Sequence, residues 1–154
     1  MKNMWGKELK FPEEVYYSPE LLWVKAEAGD RLRLGISDLG VKSVKELLHI
    51  RIKSRIGQSV KKSELIGMVE TSKMVWQIIS PVSGTVVAVN EKLQRGNPSL
   101  LMMDPYGEGW LLQLDRVSES EAELSQLHPG SRETTSVWIT DTAKAIVPLL
   151  MEEG

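Results

Sequence analysis

A chain of 154 residues without a single cysteine cannot form a disulfide, a thiolate metal site or a cysteine nucleophile. Any thiol or acyl-transfer chemistry must therefore come from a group attached to it. The two histidines, His49 and His128, are far apart and stand in unrelated contexts. No serine–histidine–aspartate set, glycine-rich phosphate loop or metal-ligand spacing accompanies them. This pattern predicts no catalytic residues and no metal, and a protein that is not itself an enzyme. The residue that stands out is Lys73, in the run Val69-Glu70-Thr71-Ser72-Lys73-Met74-Val75-Trp76, where a tight segment separates two apolar stretches. A lysine on a turn is commonly a solvated cation and nothing more. The same position also suits a tether, because a long side chain on a rigid turn can carry a prosthetic group between partners at a concentration set by its length. Position alone leaves both readings open.

The charge distribution bears on partners. The formal net charge is -2, which argues against nucleic-acid binding through bulk charge. Between residues 42 and 62, however, Lys42, Lys45, His49, Arg51, Lys53, Arg55, Lys61 and Lys62 face the single acid Glu46, whereas residues 119–123 are acidic. The longest apolar runs, such as 145–151, fall short of the roughly 20 residues a membrane span requires. The first eight residues offer no apolar stretch able to act as a signal peptide, so a cytoplasmic location with no membrane contact is expected; a monomer is expected as well.

The elements that must position Lys73 are short and mostly extended. Residues 21–26 form a strand and Gly29-Asp30 a hairpin turn. The alternation in Arg31-Leu32-Arg33-Leu34-Gly35-Ile36 predicts a half-buried strand. Ser37 or Asp38 can cap a short helix running toward Leu47, with Leu39, Val44 and Leu47 or Leu48 inside. Next, Leu48, Ile50 and Ile52 are expected on a core face, opposite a basic row of His49, Arg51 and Lys53. After a turn-rich stretch at 57–62, strands are expected at 65–70, 74–79, 85–90 and 110–114. Gly84 and Gly107 are expected at positive φ in turns, and Gly109 at a close chain passage before Trp110. Trp23 and Trp110 read as core aromatics. Trp76 reads as a half-buried strand residue or as an exposed rest site for an arm at Lys73. Ser118 and Glu121 have capping-box spacing for a helix ending near Leu127. A final helix is expected at 140–151, interrupted by Pro148 and preceded by a polar linker at 131–137.

Taken with their neighbours, these segments resemble one known family. Val69-Glu70-Thr71-Ser72-Lys73 is similar to the Val/Ala-Glu-Ser-Val-Lys lipoylation motif of glycine-cleavage H proteins. Ser80-Pro81-Val82-Ser83-Gly84 resembles the block that follows the lysine in that family, and Asn97-Pro98-Ser99-Leu100 a later step. Asp104-Pro105-Tyr106-Gly107-Glu108-Gly109-Trp110 resembles the family's signature loop. Upstream, Tyr17-Ser18, Glu20 and Trp23, and Leu34-Gly35-Ile36-Ser37, stand at corresponding positions. The resemblance spans about residues 10–130. It implies a mainly β fold with flanking helices, a lipoyl-domain-like barrel-sandwich hybrid of H-protein type with C-terminal helices. The implied division is an H-protein-like lipoyl domain over 1–130 and a helical extension over 131–154, packed on the domain or trailing it. It also implies lipoate attached covalently to Lys73, with Glu70, Thr71, Ser72 and Met74 forming the hairpin read by a lipoate ligase or lipoyl-transferase system. Glu20 and Glu70 are candidates to orient or shield the arm, or plain surface carboxylates. The dithiolane of such a group would supply the chemistry that this chain lacks.

Departures from the family pattern raise the question of the client. Leu21-Leu22 replaces a His-Glu pair, Ser72 a valine, and Met74-Val75-Trp76 small residues. The strand at 50–56 is basic where the family is acidic or neutral. Arg51, Lys53 and Arg55 would suit a client with an acidic docking surface, or would simply guard a sheet edge. This divergence favours a carrier of sulfur intermediates in a heterodisulfide-reductase-like oxidation pathway, where H-protein-like lipoate-binding proteins occur. The alternatives are the H protein of the glycine cleavage system carrying the aminomethyl group, a biotin carrier, suggested by Lys73-Met74, and an unmodified interaction domain.

Overall fold

A computed structural model describes residues 9–150 except Lys45, Lys73 and Gly96, with side chains through Lys144. Among the described residues, ten strands and five helices follow in the order β1 (Tyr16–Tyr17), β2 (Leu22–Ala26), β3 (Arg31–Ile36), α1 (Asp38–Lys42), β4 (Leu47–Ile52), β5 (Ser59–Val60), β6 (Leu65–Thr71), β7 (Val75–Ile79), β8 (Gly84–Val89), α2 (Glu91–Arg95), α3 (Leu100–Met103), β9 (Leu112–Asp115), α4 (Ser120–Ser125), β10 (His128–Pro129) and α5 (Thr135–Leu150). The strands form two open antiparallel sheets. One has seven strands in the order β10-β1-β2-β3-β9-β8-β5, the other three in the order β4-β6-β7. This is the mainly β, helix-flanked architecture expected. Leu32, Leu34 and Ile36 of β3, Leu112 and Leu114 of β9 and Val86 of β8 join Ile50, Val69, Trp76 and Ile78 of the smaller sheet in one buried cluster. Burial of that shared apolar surface is what holds the two sheets face to face.

The alternating stretches became strands because the two-residue period places one side of each in this core. Where the chain departs from the alternation, the ladder shows why. Leu48 was expected inside, yet it is 49% exposed. The β4–β6 register shifts between Leu47 and His49, and a bulge turns the next side chain outward. Leu47 packs against the core in its place. Ile50 remains inside as expected, and His49, Arg51, Lys53 and Arg55 are exposed.

The helices differ more. The first one ends at Lys42, well before Leu47; Ser37 caps it by accepting from Gly40 N at 3.1 Å. The short α2 and α3 were not anticipated. No capping box forms at Ser118 and Glu121. The helix begins at Ser120, with Glu119 at the cap position making no side-chain cap bond. The Ser120 hydroxyl instead accepts from Val117 N at 2.9 Å and donates to Ser83 O at 2.6 Å. The last helix starts at Thr135, inside the expected linker, and continues across Pro148. Thr135, Ile139 and Ala143, spaced four apart, are all buried, so the core recruits a stretch whose composition reads as a loop. Met151, included in the expected helix, and residues 1–8 lie outside the described residues.

Gly84 and Gly107 do not adopt positive φ; Gly29 and Gly57 do, at 71° and 91°. The need for glycine at 84 is steric, since a Cβ there would lie 2.8 Å from Asp115 O on the neighbouring strand. At Gly109 the expected close passage is present, with Leu100 O 2.7 Å from where a Cβ would be.

Candidate functional site

The β6–β7 hairpin carries the site. Its last paired residues are Glu70 and Val75, preceded by Val69 and Trp76. Beyond them the turn is closed by Thr71 and Met74. Thr71 N donates to Met74 O at 2.9 Å, and the Thr71 hydroxyl both accepts from Met74 N at 3.1 Å and donates to Met74 O at 3.2 Å. A β-rich sequence with a short polar residue at the strand end thereby makes a side chain imitate a ladder rung. Thr71 is buried and Met74 half-buried against the core, whereas Ser72 is exposed. By sequence Ser72 and Lys73 complete the connection; Lys73 itself lies outside the described residues, as does Lys45 of the basic stretch.

Around the turn the outer surface is mixed. Val75 is 53% exposed beside Glu70, and Leu48 is exposed on the flanking strand. Arg51 reaches across to Glu70, Nε to Oε1 at 2.8 Å. One residue of the expected basic row is therefore already paired with a residue of the expected recognition hairpin. Glu70 thus stands next to the turn, but Glu20 belongs to the corner between β1 and β2. His49 lies on β4, while His128 lies on β10 of the other sheet and stacks on Trp138 at 3.4 Å. Among the described residues no group of three or more His, Cys, Asp or Glu could hold a metal, and no helix is long and apolar enough to cross a membrane.

Trp76 is neither a rest site nor half-buried. It is 1% exposed, and its ring reaches across to α1. The alternation itself carried the signal: Trp76 shares its face with buried Ile78. Trp23 is fully buried, as expected. Trp110 is only partly so, with the Arg33 guanidinium 5.1 Å over its ring.

The remaining motif residues brace the fold and lie away from the turn. Trp23 Nε1 donates to Pro105 O at 2.9 Å. The Tyr106 hydroxyl accepts from Asp38 N at 3.0 Å and donates to Lys10 O at 2.8 Å. The Tyr17 hydroxyl donates to Pro12 O at 3.0 Å. Burial pushes both phenols well above the ordinary tyrosine value, so they remain neutral donors. Ser83 donates through N and Oγ to the Glu123 carboxylate at 2.7 and 2.9 Å, tying the β7–β8 corner to α4.

The protein is a mainly β domain of two open antiparallel sheets, the smaller of which presents the β6–β7 hairpin. A family profile described as Glycine cleavage H-protein matches residues 15–140, and the chain belongs to that family. The glycine cleavage system H protein of Mycobacterium sp. (strain KMS) is 38% identical over 120 residues, covering 77% of this chain and 89% of that protein. That of Listeria monocytogenes serotype 4b (strain F2365) is 34% identical over 115 residues, covering 75% and 90%. A crystal structure of a glycine cleavage system H protein from Mycobacterium marinum superposes with a TM-score of 0.68 at 26% identity, covering 87% of this chain and 97% of that one. Glycine cleavage H proteins are non-catalytic lipoyl carriers within a multienzyme system and bear lipoate on a lysine. These relatives support the glycine-cleavage alternative better than the sulfur-oxidation client expected from the basic strand, which finds no support in them.

Proposed function

We propose that Lys73 carries the lipoyl group and that the chain serves the glycine cleavage system as its H protein. The carrying observation is the hairpin, whose Thr71–Met74 closure leaves a turn of Ser72 and Lys73 beyond the last fixed rung. The fit to the group is favourable. Ser72 is exposed and Val75 half-exposed, so a ligase can approach the flanks, while the buried Thr71 holds the backbone shape it would read. When attached, the dithiolane supplies thiol and acyl-transfer chemistry, and this chain supplies position. We assign Glu70, Thr71, Ser72 and Met74 as the recognition hairpin, within a carrier domain over 1–130 followed by an extension over 131–154. We further assign Arg51, Lys53 and Arg55 to docking against an acidic client surface, as a cytoplasmic monomer. Arg51 is already paired with Glu70, so Lys53 and Arg55 would contribute more of the steering.

Intact mass of protein incubated with lipoate ligase, lipoate and ATP tests the assignment. One lipoyl adduct on the wild type and none on Lys73→Arg is the expected result. An adduct that persists on Lys73→Arg places the site elsewhere, and a biotin adduct or no adduct in a replete host refutes the lipoyl reading. Reconstitution with glycine decarboxylase and aminomethyltransferase then tests the client.

A further inference from the structure

The three-stranded sheet shares no ladder with the seven-stranded one, so packing and the connecting chain set the direction of the hairpin. Its far end is held by the chain itself. There β7 passes through Ser80 toward β8, with Ser80 N donating to Glu64 O at 2.9 Å and Ser63 N to Ser80 O at 2.8 Å. At the turn end, Leu47, the first residue of β4, which is the element after α1, pairs with Thr71. Leu47 and Met74 pack on the core there, and the largest side chain reaching the body of the molecule is Trp76, one rung below the last pair. Gly40 of α1 receives it: a Cβ at Gly40 would lie 3.1 Å from Trp76 Cη2, 3.1 Å from Leu21 O and 2.7 Å from Ile36 Cγ2. Gly40 therefore occupies a junction where β3, the corner before β2 and β7 meet; a Cβ there would clash first with Ile36 and would sit tightly against Leu21 O and the indole.

The receiving side is itself fixed. Leu21 O accepts from Ser37 N at 2.9 Å. Leu21 holds φ 71°, a conformation unfavourable for leucine that the surrounding packing must enforce. Ser37 caps α1, and Asp38 accepts from Lys10 N at 2.8 Å and pairs with Lys42 at 2.9 Å. A rigid indole on a rigid seat transmits the orientation of α1 to the turn, because close-packed interiors deform little.

We infer that Trp76 is a positioning residue for the carrier turn, acting through its seat on Gly40 to set the direction in which residues 72–74 are presented to the modifying enzyme. The inference rests on Lys73 being the attachment site. It assigns to a buried tryptophan a role separate from general core packing, since Ile78 on the same face is equally buried, at 1% exposure, but pairs with Gly67, farther from the turn.

Trp76→Leu and the milder Trp76→Phe are compared with Ile78→Val, all at a temperature where circular dichroism shows full folding. Lipoylation by lipoate ligase is measured against the concentration of apo protein. Loss of orientation should raise KM and lower kcat/KM about tenfold for Trp76→Leu and by less for Trp76→Phe, with Ile78→Val within about twofold of wild type. In amide-resolved NMR spectra, Ser72 and Met74 should shift in the Trp76 variants and not in Ile78→Val. Should Trp76→Leu fail to fold, Trp76→Phe carries the comparison. Wild-type kinetics and unmoved Ser72 and Met74 signals in a folded Trp76 variant overturn the inference, and so does an equal effect from Ile78→Val. If the wild type accepts no lipoyl group, the Lys73 assignment fails, and the amide signals alone decide the role of Trp76.

Discussion

Replacing Thr71 by valine isolates the closure of the carrier turn. Valine keeps the shape and β-branching of threonine, so the strand end and the backbone bond from residue 71 N to Met74 O persist. What disappears is the hydroxyl that accepts from Met74 N at 3.1 Å and donates to Met74 O at 3.2 Å. Each bond contributes about 0.5–1.5 kcal/mol net. Thr71 is 8% exposed, so the added methyl recovers part of that loss through burial, leaving a net cost of about 1–2 kcal/mol. For a domain of this size the melting temperature should fall by about 2–8 °C. Thr71→Ser is the complementary variant, since it keeps both bonds and loses one buried methyl worth about 0.8 kcal/mol. Its stability also falls, but its turn stays closed. The two variants therefore separate in a ligase assay: serine should be lipoylated at close to the wild-type rate, and valine several-fold more slowly, by an amount of order tenfold. Calorimetry and initial rates of adduct formation measure both effects. A Thr71→Val protein that melts with the wild type and is modified as fast would refute the reasoning that the hydroxyl closes the turn.

Other perturbations test the brace and the C-terminal region. Gly35→Ala would place a Cβ 2.5 Å from Cε2 of Trp23, a fully buried ring whose Nε1 is committed to Pro105 O; urea midpoints should show a loss of about 3 kcal/mol. His128, stacked on Trp138, is held below the ordinary imidazole value by desolvation first and by Arg132 second. The unfolded chain therefore binds more protons in that window. Stability should be fully present above about pH 6.5 and decline as pH falls toward the depressed folded value. His128→Phe keeps an aromatic stack and removes the titration, so urea midpoints of the wild type should drop relative to the variant between about pH 7.5 and about pH 5.5.

The basic row shows how a sequence feature changes meaning once it has neighbours. Along the chain, Arg51 is one of several unpaired cations opposite an apolar face. In three dimensions it spans to Glu70, a residue the sequence places in a different motif. With 66% of the Arg51 side chain exposed, that pair contributes little to stability, but it lowers the field that Arg51 offers a partner. The signature loop changes meaning in the same way. In the sequence it is a family signature; in the fold its Tyr106 and Pro105 serve α1 and β2, with Trp23 and Pro105 82 residues apart in sequence.

The sequence by itself determined the local matters. Two-residue alternation produced the strands at 31–36, 65–71, 75–79 and 84–89, and the ordered motifs around Lys73 identified the family. The missing cysteines implied that thiol chemistry must be borrowed. These are legible because each depends on a few adjacent side chains and the period of the backbone. Tertiary structure decided the rest. A bulge turned Leu48 outward, the core drew Thr135 into a helix, and Gly40 took in Trp76 where an exposed or half-buried ring was expected. None of these follows from neighbours in the chain, because each depends on which distant surface offers room or contact once the two sheets close. The proposed attachment lysine was read from its motif; the contact proposed to direct its turn became visible only when β7 was seen packed on α1.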